Sequence, residues 1–215
     1  MHSLDNSTGY KVFKTINITI LLLFSLAIIL PFMYVITTSL STGQAGLGSV
    51  EMRLWPEDPS LQSYQYILTD ERFLNNFSSS VFITVVGTIC SMLITSMMAY
   101  VVSKDYLPYN RIISFFIYFT VLFHAGLIPL YLVVRSLGLI DSLWAVILPQ
   151  LVNPWFMILL RNFFAEIPSE LQEAAKIDGC KEMGILFRIV LPLSLPALAT
   201  IGLFYIVFYW NQWFL

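Results

Sequence analysis

Apolar residues in this chain do not alternate with polar ones; they come in blocks. Five runs with little internal charge stand out, at residues 16–40, 76–103, 112–134, 143–160 and 195–215. A bilayer core of roughly 30 Å takes about 20 helical residues, and inside it only a structure that satisfies its own backbone polar groups can stand. The pattern therefore predicts an all-α integral membrane protein with five spans. Pro31, Pro129, Pro149 and Pro154 fall where these helices would kink. Residues 1–15 precede the first run, and a long polar segment, residues 41–75, separates the first two and carries Trp55, Pro56, Pro59 and Tyr64. The first run is long and lacks a small-residue cleavage pattern after it, so it reads as a retained anchor.

The periodicity changes between the fourth and fifth runs. Residues 162–194 are charged and helix-forming, and they read as two short helices hinged at a glycine. Ser169 is placed to cap the first, with Gln172 three residues on completing a capping box and Pro168 blocking backward extension. Leu171, Ala174 and Ala175 fall on one face, and Asp178-Gly179 ends the helix. The second starts near Lys181, with Met183, Leu186, Phe187 and Val190 forming an apolar stripe and Pro192 marking the turn into the next span. Such a loop could lie in the headgroups as an interfacial helix. It could equally dock on a partner, because paired alanines permit close backbone approach and Glu173 offers a carboxylate.

Composition agrees with lipid as the solvent: 58% hydrophobic, 15% aromatic and 11% charged residues. A net charge of −2 with scattered basic residues gives no face for nucleic acid. Cys90 lies in an apolar run and Cys180 in the charged loop, so neither a disulfide framework nor a metal cluster is indicated. Lysine and arginine set the orientation, since cytoplasmic loops hold their excess. With the N-terminus inside, Lys11, Lys14, Lys104, Arg111, Arg161, Lys176, Lys181 and Arg188 are cytoplasmic, and Arg53, Arg72 and Arg135 are outside. The 41–75 segment is then extracytoplasmic and the 162–194 loop cytoplasmic.

In that loop Glu173-Ala174-Ala175, three residues, Gly179, nine residues, Ile189, one residue and Leu191-Pro192 stand in fixed order. This order resembles the EAA loop of ABC-importer permeases at every fixed position. The surrounding "LRNFFAEIPSELQEAAKIDGCKEMGILFRIVLPLSLPALATIGLFYIVFYWNQW" is similar to the carbohydrate branch of those importers, including maltose-type systems, and "LFHAGLIPLYLVVRSLGLIDSLWAVILP" to its LplC-like members. The resemblance implies a type I importer bundle in the bacterial plasma membrane, in which the EAA loop seats in a cytoplasmic ATPase. Glu173, Ala174, Ala175, Asp178, Gly179, Ile189, Leu191 and Pro192 would form the coupling element. It further implies a second, homologous permease, an ABC ATPase dimer that holds the ATP and Mg, an extracytoplasmic solute-binding protein and a sugar cargo. This chain itself would bind no cofactor. Permeases of this kind have six spans, so a sixth is expected beyond Leu215.

Polar residues inside spans face the bundle interior or a water-filled path. Gln150 and Asn153 in the fourth run, and Asn211 and Gln212 near the end of the fifth, are placed to meet sugar hydroxyls, with Tyr205, Tyr209 and Trp210 to stack on the rings. Helix-helix hydrogen bonding explains the first pair as well, and an interfacial belt is the alternative for the aromatics and for Trp213. His124 is a lone intramembrane histidine, read as packed and neutral, and Arg135 and Asp141 bracket a solvated turn. No glycine-rich phosphate loop, HExxH or G-x-S-x-G occurs. A membrane-embedded enzyme would need a nucleophile-base pair or metal set, and two histidines in the chain, one at position 2, give little to build it from. The same EAA loop also fits the permease of an ABC importer for a non-carbohydrate solute.

Overall fold

The computed structural model describes residues 8–41, 55, 59–104, 106–123 and 125–212. The chain divides into two compact units, 1–75 and 76–215.

In the first unit α1 (Thr8–Ser39) is a single helix of 32 residues with Pro31 inside it. Its mean hydropathy qualifies it to cross a membrane, and up to Met33 its side chains are exposed all round, with Thr37 buried near its end. That is the pattern of a helix whose solvent is lipid. Several of its hydroxyls fold back on their own backbone: Thr15 donates to the Lys11 carbonyl, Ser25 to Leu21 and Thr38 to Tyr34. These three are satisfied within the helix. The chain then returns through α2 (Gln62–Thr69), where the Tyr64 and Ser39 hydroxyls meet at 2.8 Å.

The second unit is organised by α3 (Glu71–Val102), among the described residues the other single helix long and apolar enough to span. Every fourth residue on its buried side is small: Gly87, Ser91, Thr95 and Ala99. Against that strip lies α11 (Leu195–Trp210), which buries Ala197, Ile201, Tyr205 and Tyr209, also four apart. The helices run antiparallel, since Ser91 pairs with Tyr209 and Thr95 with Tyr205. Small residues on one membrane helix give room for a partner's bulk and a close approach.

Between them come α4 (Asn110–Leu122), α5 (Leu127–Ser136), α6 (Trp144–Ile147) with a tight turn at Leu148–Gln150, and α7 (Pro154–Ala165). Here the structure departs from a pattern of one helix per apolar run. The 112–134 run is two helices, α4 and α5, and the 143–160 run is broken at residues 151–153, where α6 with its turn and α7 meet at 46°. Pro149 and Pro154 explain the second break, because neither can donate to a continuous ladder. Met157, Leu160 and Phe164 of α7 complete the core with Ile185, Leu186 and Val190.

The loop after α7 holds α8 (Ser169–Ile177), α9 (Glu182–Ile185), a wide π turn at Leu186–Val190 and α10 (Leu191–Leu193). Pro192 has no N–H for the Arg188 carbonyl, and the ladder widens just ahead of it. The chain does not turn at Pro192. It turns at Ser194, whose side is buried, and α11 leaves at 88°.

Candidate functional site

The first helix of the loop, α8, ends at a defined turn. Gly179 has φ +81; the Cys180 N–H donates to the Ala175 carbonyl at 2.9 Å, and that of Gly179 to Lys176 at 3.0 Å. These two bonds form a Schellman stop, which needs a left-handed residue at Gly179. The start of α8 differs from the capping-box expectation. Pro168 occupies the cap position, without a side-chain bond, and Ser169 is already the first helical residue. Gln172 is used elsewhere: its carbonyl accepts a hydrogen bond from the Lys104 ammonium, beyond the end of α3.

The motif residues divide by burial. Glu173, Ala174, Asp178 and Gly179 are exposed, and so are Leu171 and Ile177, the last at 87%. Ala175 alone of the alanine pair is buried, at the root of α8. Ile189 and Leu191 pack against the core cluster, while Pro192 stays exposed. The apolar stripe on the second helix is also different from that expected. Leu186 and Val190 are buried together with Ile185, whereas Met183 and Phe187 point outward. The buried face therefore holds Val190 with both Leu186, four residues before it, and Ile185, five before it, the second being the wider spacing that a π turn allows.

Behind α8 a set of polar side chains closes on Glu182. Tyr100, near the end of α3, donates its hydroxyl to Glu182 Oε2 at 2.7 Å. Lys176 of α8 reaches Oε1 at 2.7 Å, and the Tyr106 hydroxyl donates to the same oxygen at 3.1 Å. Lys176 also donates to Tyr106 at 3.2 Å, and the Lys104 ammonium sits 4.0 Å from the centre of the Tyr100 ring. The hydrogen bond from Lys176, with that from Tyr100, holds the Glu182 carboxyl at about 2. Bonding to Glu182 pushes Lys176 up in turn, and burial pulls Lys104 down. Beside this set lies a polar pocket of about 280 Å³ lined by Lys104, Tyr106, Gln172, Glu173 and Lys176. None of the Glu182 partners was legible as a group, because Tyr100 and Glu182 are 82 residues apart. The available signal was only a basic and aromatic cluster at the end of a span.

The intramembrane polar residues are less alike than their sequence suggests. Tyr205 and Tyr209 are buried at 0% and 2% exposure, so neither face is open to a sugar. The Tyr205 hydroxyl meets Thr95 at 2.7 Å and accepts from the Asn153 N–H at 3.1 Å, and that of Tyr209 meets Ser91 at 2.8 Å. The Asn153 side chain caps α7 by accepting from the N–H groups of Trp155 and Phe156. Tyr205 and Tyr209 thus act as joints between helices, and Asn153 is tied to the first of them through its backbone N–H. Gln150 is half-buried, and Trp210 is half-exposed with its ring edge-on to Phe77. Asn211 is exposed and donates to the Val207 carbonyl at 2.8 Å. His124 and Trp213 lie outside the described residues. A larger cavity, of about 650 Å³, is walled by Met97, Val101, Phe116, Ile117, Val152 and Met157, and the hydroxyl at its wall, that of Thr120, is bonded back to the Ile117 carbonyl. No group of three or more histidine, cysteine or acidic side chains able to hold a metal is found among the described residues.

Residues 71–215 match the family described as binding-protein-dependent transport system inner membrane component. This chain belongs to that family. As a member it is a permease subunit of ABC importers. It is 47% identical to the polygalacturonan/rhamnogalacturonan transport system permease protein YtcP of Bacillus subtilis (strain 168), covering 94% of this chain and 71% of that one. Protein LplC of the same organism is 42% identical over 100% of this chain and 72% of its own. The fold is that of a solved permease of this type. A bacterial ABC transporter involved in the import of the acidic polysaccharide alginate superposes with a TM-score of 0.91 at 34% identity, over 97% of this chain and 74% of that one.

Proposed function

We propose that this permease carries a sugar or oligosaccharide into a bacterial cell and takes its driving force from a separate ATPase through α8. The observation that carries the coupling role is the outward ridge of α8. Leu171, Ala174 and Ile177 stand exposed on a helix whose other side is anchored, with Gly179 fixing its end. An apolar ridge with a small central residue suits a cleft in a partner. Glu173 on the same helix makes no ion pair within the chain among the described residues, and its carboxylate is available to a donor across the interface.

In this reading ATP and Mg are bound by the ATPase dimer. Its closure moves the coupling helices of this chain and of a second permease, and rigid rocking of the spans exchanges outward for inward access. An extracytoplasmic binding protein delivers the cargo, and the N-terminus and the 162–194 loop are cytoplasmic. The sugar class is supported by the cargoes named for the relative and for the solved importer. Within the chain, Gln150, Trp210 and Asn211 are the predicted path residues that the helix joints do not already occupy.

Reconstitution with its ATPase, partner permease and binding protein tests this directly. ATP hydrolysis should rise with binding protein loaded with oligogalacturonide or a neutral oligosaccharide, and Ile177→Glu should release the ATPase. Stimulation by amino acids and by no sugar would overturn the cargo class. Full ATPase retention by Ile177→Glu would overturn the docking role.

A further inference from the structure

Two short helices joined at a glycine make a poor lever. With nine and four residues, α8 and α9 are far below the length at which a helix holds itself in water. A push on the outer ridge of α8 would turn it about residues 178–180 unless a second attachment opposed the rotation. The Glu182 cluster is such an attachment. It joins α8 through Lys176, α9 through Glu182 itself, the end of α3 through Tyr100 and the turn after α3 through Tyr106. Lys104, over the Tyr100 ring, adds a second strut to Gln172 of α8. The far side of the joint is equally firm. Tyr100 is 5% exposed, and the helix that carries it is bonded to α11 through Ser91 and Thr95.

We propose that Glu182, which lies outside the fixed positions of the EAA motif, is the positioning residue that makes α8 and α3 move as one body, so that displacement of the loop reaches the spans. Its carboxylate closes a triangle between two loop helices and a span, and no other described acidic residue makes this connection. Lys176, Tyr100, Tyr106 and, further off, Lys104 are the groups that face it, two phenols and two cations. An anion is the group that satisfies them all. This rests on the docking of α8 proposed above.

The test uses the full importer complex. In Glu182→Ala the ATPase should still co-purify at parental stoichiometry, since the outer ridge is untouched, but the sugar moved per ATP hydrolysed should fall by about fivefold or more, the low end of coupling between distinct sites. Glu182→Gln, which keeps an acceptor for Tyr100 and loses the ion pair, should fall between parent and Glu182→Ala. A short bifunctional thiol reagent joining Tyr100→Cys to Glu182→Cys, in a background without Cys90 and Cys180, should restore the ratio. Rescue by a covalent tether is not expected of a residue that merely helps the loop fold. An unchanged ratio in Glu182→Ala, or loss of the ATPase from it, would overturn the proposal. Failure of the docking reading would appear separately, as ATPase retention by Ile177→Glu, whatever the result at 182.

Discussion

A Cβ on Gly87 would lie 2.8 Å from Cζ of Tyr209 and 2.9 Å from each Cε. The glycine of α3 and the tyrosine of α11 thus share one volume, and the phenol tip is fixed there by Ser91. The contact explains why α3 is so small-sided along its buried strip. It also makes α3 and α11 a single body, to which the loop is tied at one end.

Gly87→Ala must therefore displace a buried ring whose hydroxyl is bonded. Overpacking of this kind costs about 1–3 kcal/mol, to be read as a lower thermal unfolding midpoint in detergent. Gly184→Ala, with nothing within 4 Å of its Cβ, is the matched control and should stay near the parent. Equal midpoints for the two variants would mean that α11 is not seated as described.

Tyr205→Phe separates the two roles open to that residue. It keeps the ring, so stacking on a sugar would survive, but it leaves the Asn153 N–H and the Thr95 hydroxyl without their partner. A cost of about 1–3 kcal/mol is expected for unpaired buried groups, with sugar affinity of the remaining folded complex unchanged. Full stability with unchanged cargo binding would deny the joint and return the Tyr205 ring to the transport path.

Gly179→Ala has room for its methyl group, since nothing lies within 4 Å, so its whole effect comes from the backbone at φ +81. A non-glycine residue there costs about 1–2 kcal/mol. The variant should insert normally, co-purify less ATPase and lose sugar-stimulated hydrolysis. Glu173→Ala should act in the same direction if its carboxylate meets a donor in the ATPase, and normal uptake by that variant would confine Glu173 to water.

The pH response of the loop follows from Glu182. Its carboxyl titrates at about 2 against an ordinary 4.5, lowered by Lys176 and Tyr100. A depressed acid stabilises the fold above its unfolded value and loses that contribution as pH falls through the folded one. Lys176, pushed up by Glu182, is charged throughout the neutral range. Hydrogen exchange of the α8 and α9 amides, corrected for intrinsic rate, should be flat between about pH 8 and 5 and should quicken as pH falls from about 4.5 towards 2. Loss of protection between about pH 8 and 6 would point to some other group.

Sidedness is open to a labelling experiment. A membrane-impermeant thiol reagent should label Pro59→Cys in intact cells and leave native Cys180 unlabelled until the membrane is opened. The reverse result would invert the orientation derived from lysine and arginine.

Much of this molecule follows from the order of its residues. Lipid as solvent makes long apolar blocks into helices wherever they occur, so α1, α3 and α11 are legible from hydropathy alone. Gly179 announces its turn because few other residues tolerate that conformation, and the fixed order from Glu173 to Pro192 is a local pattern that a single strand of text can carry. What depended on tertiary structure is whatever joins distant segments. Asn153 and Tyr205 look like polar and aromatic groups available to a sugar until Thr95 is placed beside them, after which they are a helix joint. Gln172 fits a capping box until Lys104, just past the end of α3, arrives to take its carbonyl. Glu182 has no distinction in the sequence at all. Its role comes from Tyr100 and Lys176, which only packing brings to one carboxylate, because hydropathy fixes which segments enter the membrane but not which side chains meet there.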